Sequence, residues 1–211
     1  MSKTVDIVVI NSLNVSVCED ALKIAEEFRN VLHLICGGLG ECLEYVDLVD
    51  RVYGVPNVYD DDHIIKEFKK RNIFVSGRWV TVDGICITGI DSKNPMQSVN
   101  KILTQSIDNQ CEMSLVLSAY PMAISKCSKI NFRGRGLTVG LPIEVSKMML
   151  SVGKGLRIII ACSEYLQNFC IDRLGDDILY ISIPNSINIS LISVDVSKRI
   201  VLGIRVLKEG P

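Results

Sequence analysis

The sequence predicts a mixed α/β domain in which two packed mixed β-sheets carry helices on their outer faces. Three observations lead there. Runs such as Val5 to Asn11 and Ser114 to Ser118 are apolar with little alternation, the pattern of strands buried on both faces. In the first half these runs alternate with stretches whose apolar residues recur at the helical period. From Arg157 onward strand-like runs succeed one another across short turns. A β-α-β opening followed by a strand-rich C-terminal half suits two layered sheets better than a bundle or a barrel.

The elements follow in order. After the first strand, Ser16 and Glu19 read as a capping box ahead of Ala21, Leu22, Ala25 and Phe28, which share one helical face. Leu32 to Cys36 is the second strand and Arg51 to Val55 the third. Asp61 opens a short helix that points Ile64, Ile65 and Phe68 inward and ends on Lys69-Lys70-Arg71, where cations suit the negative end of the dipole. Ile73 to Val75, Arg78 to Val82 and Ile85 to Ile90 read as strands, with Ser76-Gly77 and Asp83-Gly84 as hairpin turns. Asn94-Pro95 supplies N-cap and N1 of a helix, with Gln97 at N3 and an apolar stripe of Met96, Val99, Ile102 and Leu103. After Ser114 to Ser118 comes a polar loop from Ser125 to Gly140. Pro142 then starts a helix whose Val145, Met148, Met149 and Val152 face the core. Arg157 to Ala161, Phe169 to Leu174, Ile178 to Ile183, Ile187 to Val194 and Ile200 to Val206 are the closing strands.

Bulk properties narrow the function. A length of 211 residues fits one domain, residues 1–211, and an apolar fraction of 48% supports a large core. A formal net charge of −1 removes whole-molecule attraction to nucleic acid or acidic membranes. The N-terminus has no apolar leader, and the apolar runs are strand-length, so a cytoplasmic protein without membrane association is expected. The eight cysteines show no Cys-x-x-Cys or zinc-ligand spacing. Most lie among apolar residues, as in Leu34-Ile35-Cys36, and read as buried reduced thiols. Disulfides are the second reading, suited to a hyperthermophilic source.

Five stretches stand at the ends of strands: Asn11-Ser12-Leu13-Asn14, Cys36-Gly37-Gly38-Leu39-Gly40, Tyr53-Gly54 through Asp60, Ser118-Ala119-Tyr120-Pro121, and Cys162-Ser163-Glu164-Tyr165. In spacing and flanking strands this series resembles the calcineurin-like metallophosphoesterase family, whose pattern reads D-x-H, G-D, G-N-H-D, an isolated H before Pro, and G-H-x-H. Val52 to Val55, Gly84 to Asp91 with Lys93-Asn94-Pro95, Gly134 to Gly140, and Ile183 to Asn188 look like archaeal members of the small phosphoesterase group. The resemblance spans almost the whole chain and implies a metallophosphoesterase-like four-layer fold. It also places a substitution at nearly every ligand. The family's first Asp and His fall on Ser12 and Asn14, and the Asp of the second motif falls on Gly38. Asn and His of the third fall on Val58 and Tyr59, with Asp60 retained. The isolated His falls on Ala119, and the paired His residues fall on Ser163 and Tyr165. A dinuclear centre needs carboxylate and imidazole donors to offset the dehydration of the ions. Val, Gly and Ala supply neither.

Composition agrees. The chain has two histidines, His33 and His63, where the family's centre uses four or more. His33, inside Val31 to Ile35, reads as structural at a strand edge. Asp60-Asp61-Asp62-His63 reads as a helix start with Asp61 as N-cap, and secondarily as a weak divalent-cation site. Where the family binds substrate, this chain presents Ser12, Asn14, Gly38, Asp60, Ala119, Tyr120, Ser163, Glu164 and Tyr165. These hydrogen-bond, but they include no paired carboxylates and no base beside a nucleophile. Cys162 beside Ser163 likewise lacks an activating histidine. Lys126, Lys129, Arg133 and Arg135, with Gly134 and Gly136, form a candidate phosphate-binding loop, against the plainer reading of a solvated loop.

The expectation is thus a catalytically inactive member of the fold, free of cofactor, acting as a scaffold for another protein. The resemblance offers a parallel in a retromer subunit that looks like a phosphoesterase and serves as a protein-binding platform. Two alternatives stand beside it. One is a metal-dependent phosphoesterase or phosphodiesterase with a reduced or relocated site using a divalent ion such as Mn. The other is a nucleic-acid or nucleotide binder acting through residues 126–135.

Overall fold

The structure, a computed structural model, describes residues 3–11, 13, 15–40, 42–57, 60–108, 110–132, 135–163, 169–184 and 186–209. In chain order the elements are β1 (Thr4–Ile10), α1 (Val15–Glu27), β2 (Leu32–Ile35), α2 (Tyr45–Leu48), β3 (Arg51–Gly54), α3 (Asp62–Lys70), β4 (Val80–Val82), β5 (Ile85–Ile90), α4 (Pro95–Thr104) and β6 (Met113–Ser118). A 3-10 turn (Lys126–Ser128), β7 (Lys129–Phe132), β8 (Arg135–Thr138), α5 (Ile143–Met149), β9 (Leu156–Ser163), β10 (Cys170–Arg173), β11 (Ile178–Pro184), β12 (Ile187–Asp195) and β13 (Ile200–Glu209) follow. The α/β class holds: two large mixed sheets with helices account for the chain. No helix among the described residues is long and apolar enough to cross a membrane.

The chain divides into two compact units, Met1–Phe74 with Asn185–Pro211, and Val75–Pro184. The first is built on a sheet ordered β13-β12-β1-β2-β3. Strands β1, β2 and β3 are parallel, as β-α-β connections require, while β12 returns antiparallel to β1 with Ile7 opposite Ile192. Helix α1 buries Ala21 and Ala25 and α3 buries Phe68, and with Tyr45 these side chains enclose Ile10, Ile35 and Ile189 of the sheet. Each fully buried large apolar side chain contributes about 1.5–3 kcal/mol.

The second unit has a sheet ordered β10-β11-β9-β6-β5-β4, parallel in its centre and antiparallel at both edges. Strands β5 and β6 are buried at every position, which explains their mainly apolar character, and the polar Thr88, Ser114 and Ser118 within them hydrogen-bond carbonyl oxygens. Helices α4 and α5 cover them with Val99, Ile102, Val145 and Met149. The β4–β5 hairpin turns through Asp83 (φ 50°) and Gly84 (φ 77°), as the Asp-Gly pair predicts.

Five local expectations are corrected. Helix α1 begins at Val15, so Ser16 lies in its first turn and is not the N-cap. Ile73 to Val75 forms no strand: Phe74 makes one parallel bridge to Gly54 and Ser76 one to Gly89, so Ser76-Gly77 turns no hairpin. On α4, Met96 and Leu103 are exposed, because Ser98 takes the inward position and hydrogen-bonds Asp91 Oδ2 and Ser76 Oγ. Within 125–140 the described residues form the 3-10 turn Lys126–Ser128 and the paired strands β7 and β8 rather than a loop. Lys129-Ile130-Asn131-Phe132 alternates polar with apolar at period two, a strand signal masked by the surrounding charge. Gly140, which follows, sits at φ 130° where a Cβ would lie 2.1 Å from the Pro121 carbonyl oxygen, so only glycine fits.

The cysteines are the fifth correction. Six of them pair as Cys18–Cys42, Cys86–Cys111 and Cys127–Cys170, with Cα separations of 5.5, 5.7 and 5.5 Å. These lie within the span a disulfide bridges. Sequence separations of 24, 25 and 43 residues carried no motif, and only folding brings the partners together. Cys36 and Cys162 take no part in these bridges and are buried.

Candidate functional site

In the first unit the loops after β2 and β3 are clasped by Asp60, which is buried. Its Oδ1 and Oδ2 accept from the Gly38 amide at 3.0 and 3.1 Å, and Oδ2 accepts from the Asn57 amide at 2.8 Å. The Asp60 amide in turn donates to Asn57 Oδ1 at 3.1 Å. Asp60 thus gives its carboxylate to backbone donors, the Gly38 amide among them. The neighbouring glycines are set by packing. At Gly37 (φ 91°) a Cβ would lie 2.6 Å from the Asn57 backbone nitrogen, and at Gly54 2.9 Å from Ile35 Cβ.

Asp61 accepts from the Ile64 amide at 2.9 Å as the N-cap of α3. Asp62 and His63 are exposed beside it. Among the described residues no group of three or more His, Cys, Asp or Glu side chains is placed to hold a metal. Ser12, Asn14, Val58, Tyr59, Arg133, Glu164 and Tyr165 lie outside the described residues. Ser163 closes β9 opposite Pro184.

His33 is fully buried on the inner strand β2, not at an edge. Its Nε2 meets the Phe28 carbonyl at 3.0 Å, so Nε2 carries the proton, and Nδ1 accepts from the Tyr45 hydroxyl at 2.6 Å. Burial lowers the imidazole pKa, opposed by the Phe28 hydrogen bond, and burial raises the Tyr45 phenol well above its ordinary value. The stability consequence has a definite sign. Above about pH 6.5 both folded and unfolded states hold His33 neutral. Below it the unfolded chain takes a proton that the folded one refuses, so stability falls with a slope of up to about 1.4 kcal/mol per pH unit. His33→Gln flattens this slope in urea titrations between about pH 6.5 and 5. Parallel slopes for the two proteins would show that His33 is not buried neutral.

In the second unit Ala119 is buried just after β6, its amide donating to the Ile90 carbonyl at 3.3 Å. Ser118 Oγ donates to the Tyr120 carbonyl at 2.6 Å in the same turn. Tyr180, which sequence reading passed over, is fully buried and accepts from the Met122 amide at 3.0 Å, anchoring the segment beyond Pro121. Burial is the main cause that lifts its phenol pKa well above the usual value. A Tyr in the apolar run Ile178 to Ile183 carried no sequence signal of that role.

The basic segment is dispersed. Lys126 pairs with Asp172 at 3.6 Å, and the Asp172 carboxylate also accepts from Ser125 Oγ and the Lys126 amide. Lys129 stands opposite Thr138 and Arg135 opposite Phe132, an odd offset that puts the two cations on opposite faces of the β7–β8 ladder. Gly136 has open space where a Cβ would stand.

No protein-family model and no curated protein sequence matches this chain. Among solved structures, one aligns at a TM-score of 0.68 with 6% identity, covering 98% of this chain and 100% of the other. GAP50, described as the anchor in the inner membrane complex of Plasmodium, aligns at 0.50 with 12% identity, covering 99% of this chain and 90% of GAP50. At these identities the likeness is one of fold.

Proposed function

We propose that this chain is a non-hydrolytic member of the metallophosphoesterase fold that serves as a protein-interaction scaffold. The observation that supports this reading is the state of Asp60: its carboxylate accepts from the Gly38 and Asn57 amides, and among the described residues no group of three or more His, Cys, Asp or Glu is placed to hold a metal. Metal-assisted hydrolysis requires an ion to acidify water and to neutralise charge on the phosphoryl oxygens. The substitutions at Gly38 and Ala119 supply no donor side chain for that ion. The anchor role stated for GAP50 is an analogy at the level of fold and nothing closer.

A cytoplasmic setting belongs to the same reading. With three disulfides it points to a hyperthermophilic cell, since elsewhere cystines persist mainly in oxidising compartments. The deciding experiment for the scaffold is metal analysis of the purified protein, combined with turnover of bis-p-nitrophenyl phosphate under added Mn²⁺. Less than about a tenth of an ion per chain and no turnover are expected. A stoichiometric metal with turnover lost in Asp60→Asn would establish the phosphoesterase alternative instead.

A further inference from the structure

Strand β13 is an edge of the five-stranded sheet and runs for 10 residues. The direction of its backbone groups follows from its neighbour. The Asn11 amide donates to the Asn188 carbonyl and the Val196 amide to the Lys3 carbonyl, so β12 turns its even-numbered backbone groups to β1 and its odd-numbered ones to β13. Leu191 and Ser193 lie opposite Arg205 and Gly203, whose backbone groups therefore face inward. Ile204 and Val206 send their N–H and C=O groups outward, where no strand among the described residues meets them. Register shifts against β12 fall on either side and leave Gly203 to Val206 regular.

An edge of this length is ordinarily guarded by charge along its rim. Here two cations are drawn to other groups: Arg205 lies over the Phe28 ring at 5.9 Å, and Lys208 pairs with Asp20 of α1 at 2.6 Å. What remains is apolar, with Ile200, Leu202 and Val206 37%, 52% and 36% exposed. Gly203 has nothing within 4 Å of where a Cβ would stand, so packing inside the chain does not call for a glycine there. The strand itself selects what covers it. Under a two-fold axis β13 meets its own copy antiparallel, and outward groups face outward groups only when the axis passes through a residue. Axes at Ile204 and at Arg205 give the longest overlap of the strand with itself. The axis at Arg205 sets that cation against its own copy, which is destabilising. The axis at Ile204 opposes no like charges. It pairs Ile204 with Ile204, Leu202 with Val206 and Val201 with Leu207, and it places Arg205 opposite Gly203, whose missing side chain leaves it room.

We propose that the β13 edge is covered by a second copy of this chain: two β13 strands pair antiparallel about Ile204 and join two five-stranded sheets into one. The inference goes beyond the scaffold reading and does not depend on it. Metal-dependent turnover would sink that reading and leave the dimer untouched, so the two failures are distinguishable.

Sedimentation velocity on the wild-type protein between about 1 and 100 µM is expected to show the 23.4 kDa monomer giving way to a dimer. Ile204→Pro removes an outward N–H at a place where an edge strand tolerates proline, and Val206→Lys sets a cation against Leu202. Each is expected to weaken the dimer about tenfold or more. Should Ile204→Pro fail to fold, Val206→Lys, at an exposed position, decides alone. Cysteine substitutions test the register. Directly opposed Cα atoms stand about 5.5 Å apart, within the span of a disulfide, so Ile204→Cys links the dimer on mild oxidation. Arg205→Cys, whose copies are offset by two residues along the strands, does not. Cys36 and Cys162 are buried, so the new bond reports the introduced thiol. A monomer across the whole range overturns the proposal. So does a dimer that Val206→Lys leaves intact, or one that links through Arg205→Cys and not through Ile204→Cys.

Discussion

Replacing Cys127 and Cys170 together by serine is expected to lower the unfolding free energy by about 4 kcal/mol, from the loop entropy that their crosslink removes. Their 43-residue separation is the widest of the three pairs. The bridge ties the 3-10 turn to β10, an edge strand of the six-stranded sheet, where Ser125 Oγ and the Lys126 amide already meet Asp172 at 2.8 and 3.0 Å. Two hydrogen bonds to a carboxylate contribute about 3–6 kcal/mol, so the crosslink and these bonds stabilise the junction to a similar degree. For a chain of this size the loss corresponds to a Tm lower by roughly 8–16 °C. Thermal melts followed by circular dichroism, with and without reductant, check it: the wild type under reductant should fall at least as far as the double variant. A Tm insensitive to reductant would mean that the thiols do not pair.

Asp60→Ala is expected to cost about 2–4 kcal/mol, because it strips the Gly38 and Asn57 amides of their acceptor. Asp60→Asn, which keeps one oxygen, should recover about half of that. Chemical denaturation measures both. A catalytic or metal-binding carboxylate behaves in the opposite way, since its removal leaves stability unchanged or improved by relieving unpaired charge. A loss below about 0.5 kcal/mol would therefore remove the structural role assigned to Asp60 and with it the main support for the scaffold reading.

Much of the fold was legible because its signals are local. The cap at Asp61, the Asp83-Gly84 turn and the mainly apolar runs of β5 and β6 each follow from a few adjacent residues, and the structure places each as expected. The hairpin at 129–138 was hidden because its alternation is short and its charges suggest a loop. Asp60 and Gly38 were legible in the sequence as residues of one candidate site. What Asp60 does was not, since its donors lie 3 and 22 residues away and the geometry of two loops decides whether it faces an ion or an amide.

By itself the sequence determines the α/β class, most of the order of strands and helices, and the scarcity of imidazole ligands, all properties of period and composition. Tertiary structure alone decides which cysteines pair, that His33 is held neutral between Phe28 and Tyr45, and that the buried Tyr180 hydroxyl accepts from the Met122 amide. The reason is range. Backbone preference and hydrophobic period act over one or two turns of chain, whereas a disulfide, a buried hydrogen bond or a sheet edge depends on groups that only folding brings within a few ångströms.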